Sequence, residues 1–156
     1  MMENKETSTQ DELQCVVLTL DKEEYGIDIQ KVQIIEKVSA ITRVPKAPYF
    51  IKGVINQRGE IIPVMSLRLK FNLPEIQFTD NARIIIVKLE EDSIGIIVDS
   101  VKEVLVFSKE NIENVQKITS GPEGEYVSGV GKVNDRIVTL LDLKKLIDFS
   151  KENLNN

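Results

Sequence analysis

Phe50-Ile51-Lys52-Gly53-Val54-Ile55-Asn56-Gln57-Arg58-Gly59, followed by Ile61, Ile62, Leu67 and Phe71, returns 76 positions later without a gap. The second copy reads Tyr126-Val127-Ser128-Gly129-Val130, then Ile137, Val138, Leu143 and Ile147. Upstream, Gln14 to Leu20 and Glu24-Tyr25-Gly26-Ile27-Asp28-Ile29, through Val32 and Ile35, overlay the chain 69 positions later. There Leu20 meets Leu89, Gly26 meets Gly95, Ile27 meets Ile96 and Val32 meets Val101. A chain that repeats in this way carries two copies of one structural unit. The seven residues by which the offsets differ fall in a connector from about Phe107 to Glu125, and Gly121-Pro122 and Gly124 make it read as loop.

Each unit reads as strands. Cys15-Val16-Val17-Leu18 and Arg83-Ile84-Ile85-Ile86-Val87 are short runs rich in β-branched residues, closed by the acidic turns Asp21-Lys22-Glu23-Glu24 and Glu90-Glu91-Asp92-Ser93. Run length and flanking turn residues favour strand over helix. Gln57-Arg58-Gly59-Glu60 and Val133-Asn134-Asp135-Arg136 read as two further hairpin turns, since Gly, Asn and Asp tolerate a left-handed backbone. Gly26 and Gly95 are expected to mark a bulge or tight bend, and Gly53 and Gly129 to permit close strand packing. Asp142 reads as a helix N-cap ahead of Leu143, Leu146 and Ile147, with Ser66 as its counterpart in the first copy.

Units of about 14–71 and 83–147 suggest two small barrels that share a seam and leave a groove between them, because closure removes exposed strand edges. The expected domain is 13–147, with polar tails at 1–12 and 148–156 whose start and end look like natural termini.

Composition narrows the function. The net charge of −5 and the lack of a basic stripe argue against a nucleic-acid backbone and against a membrane surface. No apolar run reaches the roughly 18–20 residues of a membrane helix and the start is polar, so a cytoplasmic location is expected. The lone Cys15 reads as a buried small apolar residue.

Catalytic machinery is not visible. With no histidine and one cysteine, the commonest general base and zinc clusters are missing, so neither a metal nor a cofactor is expected. Gly129-Val130-Gly131-Lys132 fails as a phosphate loop because Val133 stands where Ser or Thr is needed, and fails as a dinucleotide fingerprint because Asn134 takes the third glycine position. Ser128-Gly129 lacks the preceding glycine of a nucleophile elbow. The carboxylates around Glu23, Glu24 and Asp28 and from Glu90 to Asp92 read as solvated turns. The expectation is a binding protein rather than an enzyme.

The segments Glu24 to Ile29 with Val32, Phe50 to Gly59 with Pro63 and Leu67-Arg68, Gly95 to Val101, and Tyr126 to Gly131 resemble the CheW family of chemotaxis coupling proteins, over nearly everything from Leu13 to Ile147. The resemblance implies two intertwined, five-stranded SH3-like barrels in a mostly β chain with short helices. It also implies a non-enzymatic adaptor that joins the cytoplasmic tips of methyl-accepting chemoreceptors to the regulatory domain of the histidine kinase CheA, within membrane-associated arrays. The alternative is a CheW-like module of a larger CheA or CheV-type protein. Two positions depart from the family pattern: Gln57 replaces a Leu in the Asn-Leu-Arg-Gly turn, and Ser66 replaces an Asp before Leu-Arg.

Carried over by resemblance, Arg58 matches an arginine associated with receptor binding, and Val32, Val101 and Val104 fall near the family's receptor groove. A guanidinium on a glycine-bounded turn suits charge-assisted bonds to a partner's carboxylate or carbonyls. For the kinase, the sequence suggests Ile34, Ile35 and Ile41, an apolar set in the connector after Val32 that alternates poorly and so is expected to leave a patch exposed.

Overall fold

The first apolar run forms β1 (Glu12–Leu20), and the acidic turn returns it as β2 (Glu23–Asp28), with Asp21 at a φ of 54°. Its counterpart forms β6 (Arg83–Leu89) and β7 (Asp92–Val98) around Glu90, at a φ of 55°. These positions come from a computed structural model, which describes residues 11–114 and 122–148. Most of the two tails, and the middle of the connector from 115 to 121, lie outside the described residues.

The other strands are β3 (Val32–Lys37), β4 (Ile51–Gln57), β5 (Glu60–Ser66), β8 (Ser100–Ser108), β9 (Ile112–Glu113), β10 (Val127–Val133) and β11 (Arg136–Leu141). The start of the connector is therefore not loop, because β8 and β9 occupy it. Two short helices follow β5 and β11: α1 (Leu67–Lys70) and α2 (Leu143–Ile147). The caps are side-chain oxygens at equivalent positions. Ser66 Oγ accepts from the Leu69 amide at 3.1 Å, and Asp142 Oδ1 from the Lys145 amide at 3.2 Å. Ser66 thus caps its helix without the family's carboxylate. Helix α2 turns Leu143 and Leu146 into the core.

Both later hairpins have their two central residues in the left-handed region. Arg58 and Gly59 stand at φ 56° and 83°, Asn134 and Asp135 at 49° and 68°, as a two-residue turn between right-twisted strands requires.

The strands form two sheets, in the orders β3-β6-β7-β5-β4 and β8-β1-β2-β11-β10-β9. We call them barrel B and barrel A. Neither corresponds to one repeat: barrel A combines the β1–β2 hairpin of the first copy with later strands of the second, and barrel B does the reverse. Each borrowed hairpin joins through a parallel pair, β2 to β11 at Tyr25↔Thr139 and β7 to β5 at Gly95↔Val64. Barrel A has six strand segments because a 3₁₀ turn, Lys109–Asn111, divides its closing strand into β8 and β9.

The glycines separate into two uses. The register breaks next to Gly53, between Ile51 and Gly53, and next to Gly129, between Val127 and Gly129. It runs unbroken through Gly26 and Gly95 within their own hairpins, so neither glycine is itself a bulge. They are packing positions instead: a side chain at Gly26 would meet Leu140 at 3.0 Å and Val138 at 3.1 Å, and one at Gly95 would meet Ile84 at 2.9 Å. Gly53 and Gly129 lie where each barrel closes. There a β-carbon would stand 2.1 Å from the Thr42 carbonyl oxygen and 2.8 Å from that of Glu113, respectively.

Three apolar clusters follow from this topology. Ile55, Ile62, Val64, Ile84, Ile86 and Ile97 fill barrel B, and Cys15, Val17, Phe107, Val138 and Leu140 fill barrel A. The largest cluster lies between the barrels, where Leu18, Ile27, Phe50, Met65, Leu67, Ile85, Ile96 and Leu146 are among its buried members. At about 1.5–3 kcal/mol for each fully buried side chain, the seam supplies more apolar stabilisation than either barrel interior. The expected groove between the barrels is therefore a core along its centre, because both facing sheets present apolar rows that must leave water. Cys15 sits inside barrel A, where burial, with a smaller push from Asp28, raises its thiol pKa to about 12 and leaves it unreactive.

Candidate functional site

Arg58 is exposed on the β4–β5 turn, and its side chain has no hydrogen bond or ion pair among the described residues. Its platform is ordered by local chemistry: Asn56 Oδ1 accepts from the Gly59 amide at 2.9 Å and holds the turn closed. Beside it, the Gln57 side-chain amide lies against the Glu36 carboxylate, and with its nitrogen turned toward that carboxylate it donates at 3.0 Å, so the residue that departs from the family pattern ties the turn to β3. A guanidinium carried on a fixed turn with all its donors facing water is available to a partner's carboxylate or carbonyl.

Val32 and Val101 are half-buried, both packed against the seam core, one on β3 and one on β8. Arg58 is not beside Val32: Glu36, which meets Gln57, is four residues further along β3, or about 13 Å of strand. Val104 stands on the outer face of β8, 48% exposed, opposite Val16.

The set Ile34, Ile35 and Ile41 is divided by the fold. β3 alternates cleanly between half-buried and exposed from Val32 to Lys37, contrary to the expected poor alternation. Ile34 and Ile41 pack on the interior of barrel B, and Ile35 alone faces out, at 37% exposure. A register break between Val32 and Ile34 turns Ile34 inward against β6. The three therefore do not form one exposed patch.

The internal repeat links two of these residues. Ile35 pairs with Ile85 and Val104 with Val16, which are equivalent positions of the two copies. Each is an exposed apolar side chain on the outer edge of a barrel, beside the seam. The surroundings of the two ends differ. On barrel A, Glu24 accepts from Lys102 at 3.0 Å and from Arg136 at 3.1 Å, and Arg136 also reaches Glu103 at 2.6 Å. The equivalent positions on barrel B hold Ser93, Gln33, Ile34 and Glu60, of which the side chains of Ser93 and Gln33 meet at 3.4 Å. Duplication made two similar edges; at these four positions one carries four cross-linked charges and the other a single carboxylate, Glu60.

The charged edge gives a pH signature. The Lys102 ammonium, and after it the Arg136 guanidinium, hold the Glu24 carboxyl below its ordinary value against an opposing push from partial burial. A depressed folded-state pKa stabilises the fold above the unfolded value near 4.5 and loses that contribution as pH falls through the folded value. Glu24→Gln is expected to cost about 1 kcal/mol at pH 7 and to flatten the acid limb of stability against pH. Urea unfolding from pH 3 to 7 measures it. Equal acid slopes in both proteins would show that Glu24 carries none of the dependence.

Sequence reading missed Arg68 as a structural centre. It is 8% exposed, its Nη1 donates to Asp21 at 2.8 Å and Asp99 at 2.7 Å, and its Nε donates to the Pro74 carbonyl at 2.8 Å. Asp99 also accepts from the Asp21 amide at 2.7 Å, so one cluster joins the β1–β2 turn, α1 and the β7–β8 corner. Lys70, also buried, places its ammonium over the Phe50 ring at 3.9 Å. The Leu67-Arg68 pair was the available signal, but nothing in its neighbourhood names the two aspartates. At the equivalent places of the second copy stand Lys144, Glu90, Gln30 and Leu146, so only one end of the seam is built this way.

A family model described as a CheW-like domain matches residues 14–151. The chain is 38% identical over 132 residues to the chemotaxis protein CheW of Klebsiella aerogenes, covering 85% of this chain and 80% of that one. It is 33% identical over 133 residues to chemotaxis protein CheW of Bacillus subtilis, covering 85% of each. Among solved structures, that of scaffolding protein TtCheW from Thermoanaerobacter tengcongensis superposes with a TM-score of 0.81 at 35% identity, over 87% of this chain and 92% of that one. The chain also matches chemotaxis protein CheV3 of Helicobacter pylori at 26% identity, over 42% of the latter's length.

Proposed function

The chain belongs to the CheW-like domain family and is an adaptor of chemotaxis signalling, and from that premise we propose that it couples methyl-accepting chemoreceptors to the histidine kinase CheA without chemistry of its own. The observation that carries this reading is the near full-length likeness to CheW proteins, and the Asn56-Gln57-Arg58-Gly59 turn lies within the residues that the family model matches. Its place is the cytoplasm, with recruitment to receptor arrays at the membrane. No helix among the described residues is long and apolar enough to cross a bilayer.

The receptor side uses Arg58, with Val32 and Val101 at the seam and Val104 on the outer face of β8, and the kinase side uses the barrel B edge that carries Ile35. Two differently surrounded edges suit two partners, since specificity comes from complementary charge as much as from buried area. Ile34 and Ile41 support that edge from inside barrel B.

Pull-down and calorimetry with a receptor cytoplasmic fragment and with the CheA regulatory domain test the assignment. Arg58→Ala is expected to weaken receptor binding by about tenfold or more, the loss of one charge-assisted hydrogen bond, while the melting temperature stays within about 1 °C. Binding to neither partner by the unmodified chain would sink the adaptor reading. A melting temperature that falls steeply in Arg58→Ala would reassign that residue to structure. Ile35→Asp is a better kinase-side probe than Ile34→Asp, because an aspartate at Ile34 would enter the barrel B interior.

A further inference from the structure

Between α1 and β6 the ten residues Leu73–Ala82 have no regular structure, yet both ends are fastened. Arg68 Nε holds the Pro74 carbonyl and Lys52 pairs with Glu75 at the start; Arg83 Nη1 donates to the Asp80 carbonyl at 2.8 Å at the end. Between these ties, Ile76, Gln77 and Phe78 make no main-chain hydrogen bond among the described residues. Ile76 and Phe78 are nevertheless 45% and 46% exposed, an uncommon state for two large apolar side chains on one short strap.

Under the strap is a cavity of about 250 Å³, whose apolar wall is Ile76, Phe78, Ala82, Ile97 and Val98 and whose polar lining includes Arg68, Glu75 and Asp99. That is below the roughly 300–1,000 Å³ of drug-sized and cofactor sites, so it suits a group the size of one or two side chains. The Arg68 side chain is nine-tenths buried, its Nη1 and Nε donors are taken, and its Nη2 has no acceptor among the described residues. A donor with no acceptor in the protein can serve a ligand in the cavity, and a guanidinium already neutralised by Asp21 and Asp99 calls for a neutral acceptor rather than a third carboxylate.

We propose that this cavity is an acceptor site for one residue of an extended partner peptide, taking its branched aliphatic or aromatic side chain while that residue's main-chain carbonyl accepts from Arg68 Nη2. The unpaired main chain of Ile76 to Phe78 then receives the flanking peptide backbone, as an exposed strand edge does in β-augmentation. The site is separate from Arg58 and from the Ile35 and Val104 edges, and it stands whether or not the adaptor reading does.

The test is a nitrogen-15 NMR titration of the full chain with N-acetyl-leucine N-methylamide, a one-residue peptide, and with N-acetyl-glycine N-methylamide as the control without a side chain. A ligand of this size is expected to bind in the millimolar range. The leucine probe should shift the amides of Ala82, Ile97 and Ser100 and the Arg68 guanidinium signals; the glycine probe should leave them in place. Ala82→Leu, which fills the cavity, should weaken the leucine probe by about tenfold, and Phe78→Ala, at an exposed position that spares the fold, should weaken it by severalfold. No shift up to about 20 mM, shifts spread over other surfaces, or affinity equal to that of the unmodified chain in Phe78→Ala would each overturn the proposal.

Discussion

Gly53→Ala is expected to lower stability by about 3–5 kcal/mol, enough to unfold much of the chain at moderate temperature. The new β-carbon would stand 2.1 Å from the Thr42 carbonyl oxygen and 2.7 Å from its carbon, and these are backbone atoms that cannot rotate aside. Thr42 and Val54 exchange two hydrogen bonds of 2.9 and 2.8 Å, the bridge that closes barrel B, so moving Thr42 away breaks both. The φ of 147° at Gly53 adds strain for any other residue. Two further variants give the scale its order. Gly26→Ala meets only side chains, the nearest at 3.0 Å, and should cost about 1–3 kcal/mol as an overpacked site. Gly59→Ala has open space around it and only a φ of 83° to oppose it, so about 1 kcal/mol is expected. Chemical denaturation of the three proteins checks the series. A Gly53→Ala protein as stable as Gly59→Ala would show that barrel closure tolerates the shift.

Arg68→Met should cost about 2–4 kcal/mol, below the upper range for breaking a buried pair because one of the two carboxylates is half in water. Methionine keeps most of the volume and removes the charge, which leaves Asp99, whose side chain is 22% exposed, facing Asp21 with no cation between them. The Pro74 carbonyl loses its donor in the same step. Asp21→Asn, at a carboxylate that is 55% exposed, is expected to cost under about 1 kcal/mol, since solvent screens what the pair loses. The contrast between the two variants in urea unfolding measures how far the cluster acts as a buried unit. Equal costs would mean that Arg68 behaves as a surface residue despite its burial. Because Asp99 leads directly into β8, Arg68→Met should also loosen the corner from which Val101 and Val104 project, and exchange of the Val101 amide reports it.

Much of this architecture was legible locally. The two offsets located the matching strands, and Ser66 and Asp142 fill the cap positions that their side chains suggested. The turns at Arg58-Gly59 and Asn134-Asp135 have the backbone that their residues favour. Hairpins, caps and turns are decided by neighbours a few positions apart, which a linear pattern records. Gly26 and Gly95 are not bulges in their own hairpins: a glycine in a strand signals close approach as readily as a bulge, and only the register tells those two apart. The isoleucines after Val32 were misread as one patch because neighbours on a strand face opposite sides, Ile34 inward and Ile35 outward.

The amino-acid sequence by itself determined the duplicated strand units, their turns and caps, and membership of a family of chemotaxis adaptors. Only the tertiary structure decided that each barrel is assembled from both copies, and that Gly53 lies against Thr42. It alone placed Arg68 between Asp21 and Asp99, which are 47 and 31 positions away. The physical reason is the crossing of the chain at the seam: hydrophobic burial rewards any pairing of two apolar faces. Which distant residues then meet is decided by steric fit and by the demand that each buried polar group find a partner, and those are properties of the assembled core.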